Sequence, residues 1–292
     1  MRVTDSSSYE GIRKTLTSTR EKMAKAQEAA GSGLRVQKPS DDPVAAAAAR
    51  RETSRKTLAE AGMKATEQAS AQLEGTDEAL GSVSDALASV RELAVQGSTG
   101  SFSDENRRNA AFEVRKIRDQ MVALGNTNVA GKYVFAGYAD QSPAFDASGS
   151  FVGDASTKEV QAMPGVRVPA SIDGKTAFGV GEPDDLFTTL DQLATALESN
   201  DVSGVRASLT GIDKNENRVL SARSQVGAMM DGVQVANAVA DRHAFRATLE
   251  KSRLVEADEI TAAADLMQAK SALEKAVAVA GQIQVGGLLG GK

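Results

Sequence analysis

The sequence predicts a mainly α-helical protein. Its N- and C-terminal arms form a long antiparallel, coiled-coil-like bundle, with a small β-rich domain inserted between them. Three observations carry this expectation. The six prolines stand at positions 39, 43, 143, 164, 169 and 183, which leaves 44–142 and 184–292 free of the strongest helix breaker. Apolar residues recur at alternating spacings of four and three on both sides of the middle. Seven of the eleven aromatic residues fall between Tyr133 and Phe187, in a stretch rich in Gly, Pro and Val.

The first element is an N-terminal helix within residues 1–40. Its stripe is Tyr9, Ile12, Leu16, Met23, Ala26 and Ala30, apolar but thin. It ends at the bend Pro39-Ser40-Asp41-Asp42-Pro43. Two adjacent carboxylates could do acid–base chemistry or hold a metal, but this pattern starts a helix. Asp42 fits the N-cap, and Pro43 fits the first helical position, where its missing N–H costs nothing. Pro39 keeps the residue before it extended. The alanines that follow are the best helix formers.

Residues 41–130 then form the N-terminal arm. Its seam runs through Ala69, Leu73, Thr76, Leu80, Val83, Leu87, Val90 and Ala94. After the break at "GSTGSFSDEN", Ser103 with Asp104 and Glu105 opens a second helix. That helix carries Ala110, Val114, Ile117, Met121 and Leu124. The insert, 131–184, holds strand-like runs at Lys132-Tyr133-Val134-Phe135 and Val166-Arg167-Val168, with Asp173-Gly174 expected as a turn. The C-terminal arm, 185–257, has a seam of Val205, Leu209, Ile212, Val219, Val226, Met230 and Val233, with Glu216 and Arg223 as polar members. A C-terminal helix, 258–292, carries Leu266, Ala269, Leu273, Ala276, Ala280 and Ile283. A lone amphipathic helix cannot bury its own stripe, so the two arms are expected to pair. Leu80, Val83, Leu87 and Val90 should then face the region of Val219, Val226, Met230 and Val233.

Composition narrows the function. Hydrophobic residues make up 41% and charged residues 25%, with a net charge of −5 and no long basic run. A nucleic-acid footprint is therefore not expected. Cysteine and tryptophan are absent, so thiolate chemistry and disulfides are excluded. His243 lies far along a helical stretch with no partners for a catalytic constellation. Gly97-Ser98-Thr99-Gly100 lacks the Lys-Ser/Thr of a phosphate loop. No enzyme, cofactor or metal site is expected. The N-terminus shows no apolar run for a cleaved secretory signal and nothing reaches transmembrane length, so the expectation is a protein of the cytoplasm or one exported without such a signal.

Specific stretches resemble a known family. "SGLRVQKPSDDPVAAAA", between long helical ends, is similar to the bacterial flagellin superfamily. "LGNTNVAGKYVFAGYADQSPAF" adds Asn126, then Gly131, Tyr133, Phe135 and Gly137, then a Pro-x-Phe. This motif resembles the hook–filament junction branch of that superfamily more than the filament flagellins, as does the Pro-Ser-Asp-Asp-Pro bend. Ser252-Arg253-Leu254-Val255-Glu256-Ala257-Asp258 and the closing helix resemble the family's C-terminal segment. The resemblance implies a structural adaptor of the extracellular bacterial flagellum, exported through the flagellar type III channel. It also implies assembly through terminal helices, with Tyr9, Ile12, Leu16, Leu266, Leu273 and Ile283 as their larger members. Implied partners are copies of the same chain in a ring, the first hook-associated protein, flagellin and an export chaperone. Filament flagellin is the alternative.

Overall fold

The computed structural model describes residues 2–289, with side chains from Glu10 to Gln282. Seven helices and two small hairpins follow in order: α1 (Arg2–Ser32), α2 (Pro43–Gly97), α3 (Asp104–Gly125), β1 (Asn128–Val129), β2 (Lys132–Tyr133), β3 (Glu159–Met163), β4 (Val166–Pro169), α4 (Gly174–Phe178), α5 (Leu186–Glu198), α6 (Val202–Val255) and α7 (Glu259–Leu289). The architecture is a helical bundle with a small β-containing region, as the sequence predicts. The chain divides into two units, one of residues 57–243 and one of 1–56 with 244–292.

In the 57–243 unit, α2 and α6 run antiparallel. Arg91 Nε pairs with Asp213 at 2.9 Å, and Arg223 grips both oxygens of Asp77 at 3.0 and 3.2 Å. Position numbers across the pair therefore sum to about 300–304. Leu73, Leu80, Val83, Leu87, Val90 and Ala94 are fully buried along α2. On α6 the buried phase is Val205, Ser208, Ile212, Asn215, Val219, Ala222, Val226 and Val233. This corrects the expected seam. Leu209 and Glu216 sit on the flank where Ser208 and Asn215 go inside, and Arg223 is an ion-pairing edge beside buried Ala222. The residues that alternate with Val205, Ile212, Val219 and Val226 on this face are smaller or polar: Ser208, Asn215 and Ala222. The register also places Val226 and Met230 opposite the Leu73 region, and Ile212 and Asn215 opposite Leu87 and Val90.

Asn215 is 1% exposed and satisfied in place: its Nδ2 donates to the Asp184 carbonyl at 3.0 Å and to the Gly211 carbonyl at 2.9 Å. Satisfaction of this kind is what makes a polar side chain tolerable in a seam.

Ser103 starts α3 by accepting the Asn106 N–H at 3.2 Å. The buried face of α3 packs on α5, which begins where Asp185 accepts the Thr188 N–H at 2.8 Å. Asn200, at φ +60°, separates α5 from α6. Buried Arg107 ties these breaks together. It donates to the carbonyls of Gly97 (2.9 Å) and Thr99 (2.7 Å) and to Asn200 Oδ1 (2.6 Å). A cation here serves the unsatisfied carbonyls at the end of α2.

The inserted region contains two antiparallel hairpins, β1–β2 and β3–β4. Of Lys132-Tyr133-Val134-Phe135 only the first two residues are strand, whereas Val166-Arg167-Val168 lies in β4. Asp173-Gly174 is not a hairpin turn. Asp173 caps α4, accepting the Thr176 N–H at 2.7 Å, and the hairpin reverses at Pro164-Gly165, with Gly165 at φ +82°. The β3 backbone lies directly on α2: a Cβ at Gly62 would run into the carbonyl of Ala162. Phe135, Phe145, Phe178 and Phe187 form the centre of the region, with edge contacts at 5.0–5.3 Å between ring centroids.

Candidate assembly surfaces

The bend between α1 and α2 is built from hydrogen bonds within the 1–56/244–292 unit. Gly33, at φ +70°, ends α1. The chain then pairs backbone to backbone with the end of α6: Arg35 N–H donates to the Val255 carbonyl at 2.8 Å, and Ala257 N–H donates to the Gly33 carbonyl at 2.9 Å. Arg35 also donates from Nη2 to the Leu254 carbonyl at 2.8 Å.

Asp42 accepts the Ala45 N–H at 2.9 Å and an Arg35 Nη1 bond at 3.3 Å. Asp41 accepts the N–H groups of Lys38 and Gln37 at 2.9 and 3.3 Å. The two carboxylates thus serve different turns of backbone. Both are held below the ordinary carboxylate range, Asp41 first by the Lys38 amide and Asp42 first by the Ala45 amide. Neither is poised as a proton donor near neutral pH. Pro39 and Ser40 occupy the turn closed where Asp41 N–H donates to the Lys38 carbonyl at 2.9 Å, and Pro43 opens α2. Asp258 repeats the device at α7, accepting the Thr261 N–H at 2.8 Å.

The terminal helices α1 and α7 pack on each other. Ile12, Leu16, Thr19, Met23, Ala26 and Ala29 on α1 are half-buried, as are Leu266, Ala269, Leu273 and Ala276 on α7. The side chains of Tyr9 and Ile283 lie outside the described residues. Ile260 (82% exposed), Met267 (74%), Val277 and Val279 stand out to solvent on α7. A helix that is apolar round most of its circumference is built to be covered on more than one side.

The Asn126–Gly137 motif organises the aromatic centre of the insert. Asn126 exchanges two hydrogen bonds with the backbone of Phe145, at 2.8 and 2.9 Å. Phe145 is the Phe of the Pro-x-Phe, so the motif's two halves meet in space. Gly131 N–H donates to Asn128 Oδ1 at 2.9 Å. Tyr133 is half-buried against the core, and Phe135 is fully buried with its ring edge on Phe178. Gly137, at φ +60°, lies where a Cβ would strike the Asp154 carbonyl. Asp140, just beyond the motif, accepts from Lys158 Nζ at 2.6 Å.

Sequence reasoning missed three features: Arg107 as a buried clamp, Asn215 as a seam residue, and the separate helix α5. The Asp185 cap and the "ESND" break at 198–201 are the signals that could have revealed α5. Among the described residues no group of three His, Cys, Asp or Glu side chains could hold a metal ion, and His243 is exposed on α6. Among the same residues no helix is long and apolar enough to cross a membrane.

Residues 5–140 match the family model for the bacterial flagellin N-terminal helical region. The flagellar hook-associated protein 3 of Salmonella typhimurium is 28% identical, with 94% of each chain aligned. That of Escherichia coli is 28% identical over 88% of this chain and 89% of its own. The flagellar hook-associated protein 3 of Legionella pneumophila shares the fold, with a TM-score of 0.61 over 70% of this chain and 98% of that one, at 14% identity. Along nearly its whole length this chain resembles flagellar hook-associated protein 3.

Proposed function

We propose that this protein is a structural, non-catalytic component of the bacterial flagellum that joins the hook region to the flagellin filament. The observation that carries the reading is the end-to-end similarity to hook-associated protein 3, with 94% of both chains aligned. The half-buried stripes of α1 and α7 support assembly through the ends, because neighbouring copies would cover what each copy leaves open. On this reading the protein forms a ring of copies between the first hook-associated protein and flagellin. It reaches the extracellular tip unfolded, through the flagellar type III channel with an export chaperone and without a cleaved signal. The absence of cysteine suits unfolded passage.

The alternative, a filament flagellin, is less favoured: the Asn126–Gly137 motif and the relatives that align along nearly the whole chain point to the junction. Labelling the protein on intact flagellated cells tests the reading. A single spot at the hook–filament boundary is the expected result. Staining along the whole filament, or signal confined to the cytoplasm, overturns it.

A further inference from the structure

We propose that two copies of this chain meet through one defined contact: Phe112 on α3 of one copy enters an acidic, methionine-lined groove between α2 and α6 of the next. Phe112 is 71% exposed, the highest value for an aromatic ring among the described side chains. Its face of α3 is the one opposite the buried Ala110, Val114, Ile117 and Met121 stripe. Arg108 and Lys116, one turn away on either side, are exposed and have no ion-pair partner among the described residues. An apolar ring between two free cations is the composition of an interface anchor.

The groove has the complementary chemistry. Its volume is about 670 Å³. Half-buried Met63 and Met230 line it beside buried Thr66 and Val233, together with exposed Glu67, Glu74, Asp231 and Asp241. No Lys or Arg lines it, and none of these four carboxylates has an ion-pair partner among the described residues. Methionine is polarizable and makes favourable sulfur–aromatic contacts, which suits a phenyl ring. Four unpaired carboxylates suit flanking cations and repel an acidic partner.

The position of the two surfaces determines the kind of contact. Arg107 binds the Gly97 carbonyl, while Val129, just past α3, touches Gly75, so α3 runs antiparallel to α2. Phe112 therefore stands about 35 Å along α2 from the groove, at 1.5 Å per residue. A knob and a groove at different places on one chain let each copy give one and take the other, and within the ring both are engaged by neighbours. They join copies head to tail with a stagger, which builds a ring or a stepped array. The inference rests on the ring of the preceding section, and it adds which surfaces meet.

A charge swap on the full-length chain tests it, read by sedimentation at low salt. Phe112→Ala is expected to weaken self-association about tenfold or more, as for a central aromatic anchor. Phe245→Ala, at a ring 67% exposed on α6, is expected to leave it unchanged. The double variants Arg108→Glu/Lys116→Glu and Glu67→Lys/Asp231→Lys should each associate weakly alone and regain association when mixed. All six changes are at exposed positions, so loss of folding does not confound them. A mixture no better than its components, or dependence on Phe245 in place of Phe112, overturns the contact. Junction labelling that persists alongside such a failure leaves the functional reading standing. Pairing restored by the swap in a protein absent from the flagellum does the reverse.

Discussion

The 57–243 unit and the paired ends α1 and α7 use the same alternating spacing to different effect. In the larger unit the stripes carry Leu, Val, Ile and Phe, and these vanish from solvent: Leu73, Leu80, Leu87, Val90, Phe135, Phe178 and Ile212 are at 0% exposure. In the end pair Thr and Ala make up half of the stripes, and the large members Ile12, Leu16, Met23, Leu266 and Leu273 remain half-exposed. Fixing a residue's backbone costs about 1–2 kcal/mol. A stripe of half-buried alanines offsets little of that, while a stripe of buried leucines offsets much. The buried stripes of the larger unit therefore offset more of the ordering cost of their helices than the half-buried stripes of α1 and α7 do.

That contrast predicts the sizes of mutational effects. Leu87→Ala should destabilise the larger unit by about 2–5 kcal/mol in a thermal or denaturant melt, through lost transfer energy and a residual cavity. Leu273→Ala, made at the half-buried end seam, should change the monomer melt by about 1 kcal/mol or less and instead impair assembly. Equal effects of the two in the monomer would erase the distinction.

Arg107→Ala comes next. It removes a charged donor from the buried Gly97 carbonyl and the part-buried Thr99 carbonyl and should cost about 2–3 kcal/mol. Arg107→Lys, a single point donor in place of the fork, should recover only part in the same urea titration.

A smaller effect belongs to Asp140. Lys158 first, then Gln141, hold its carboxyl below the ordinary carboxylate range. A group whose folded pKa is depressed contributes fully above its unfolded pKa and loses that contribution as pH falls through the folded value. Wild type should therefore melt above Asp140→Asn at neutral pH, and the gap should close in acid. A gap that stays constant down to strongly acidic pH would show that the charge is irrelevant.

The smallest effect is expected at the bend. Asp42→Ala should lower the melting midpoint slightly, and Asp42→Asn, which still offers a side-chain oxygen to the Ala45 N–H, should lower it less. Equal loss in both variants would assign the role of Asp42 to its ion pair with Arg35 instead.

Much of this plan was legible in the sequence, for physical reasons. Pro43 after Asp42, and Ser103 before two acids, mark helix starts because capping is local chemistry. The α2 seam was legible down to Thr76 because its apolar residues are large and regular. The α6 seam was misread at alternate positions. Leu209, Glu216 and Arg223 look like seam members by spacing, yet Ser208, Asn215 and Ala222 go inside. At Asn215 the Asp184 and Gly211 carbonyls satisfy the side chain, which spacing does not reveal. Asp173-Gly174 has the residues of a hairpin turn and also those of a helix cap, and the buried neighbours of α4 select the cap. Nothing local marks Arg107, because its partners, the Gly97 and Thr99 carbonyls and Asn200 Oδ1, stand at two chain breaks brought together only by the fold. Within the candidate assembly surfaces, the bend and motif residues were visible as residues, but the Asn126–Phe145 link between the motif's halves was not.

Amide hydrogen exchange compared between the isolated monomer and the assembled protein tests the central claim most directly. Slow exchange is expected through the α2, α3, α5 and α6 segments of 57–243 in both states. Fast exchange is expected along α1 and α7 in the monomer, and strong protection of those two helices on assembly. Protection of α1 and α7 equal to that of the arms, at a concentration where the protein is shown to be monomeric, would contradict it.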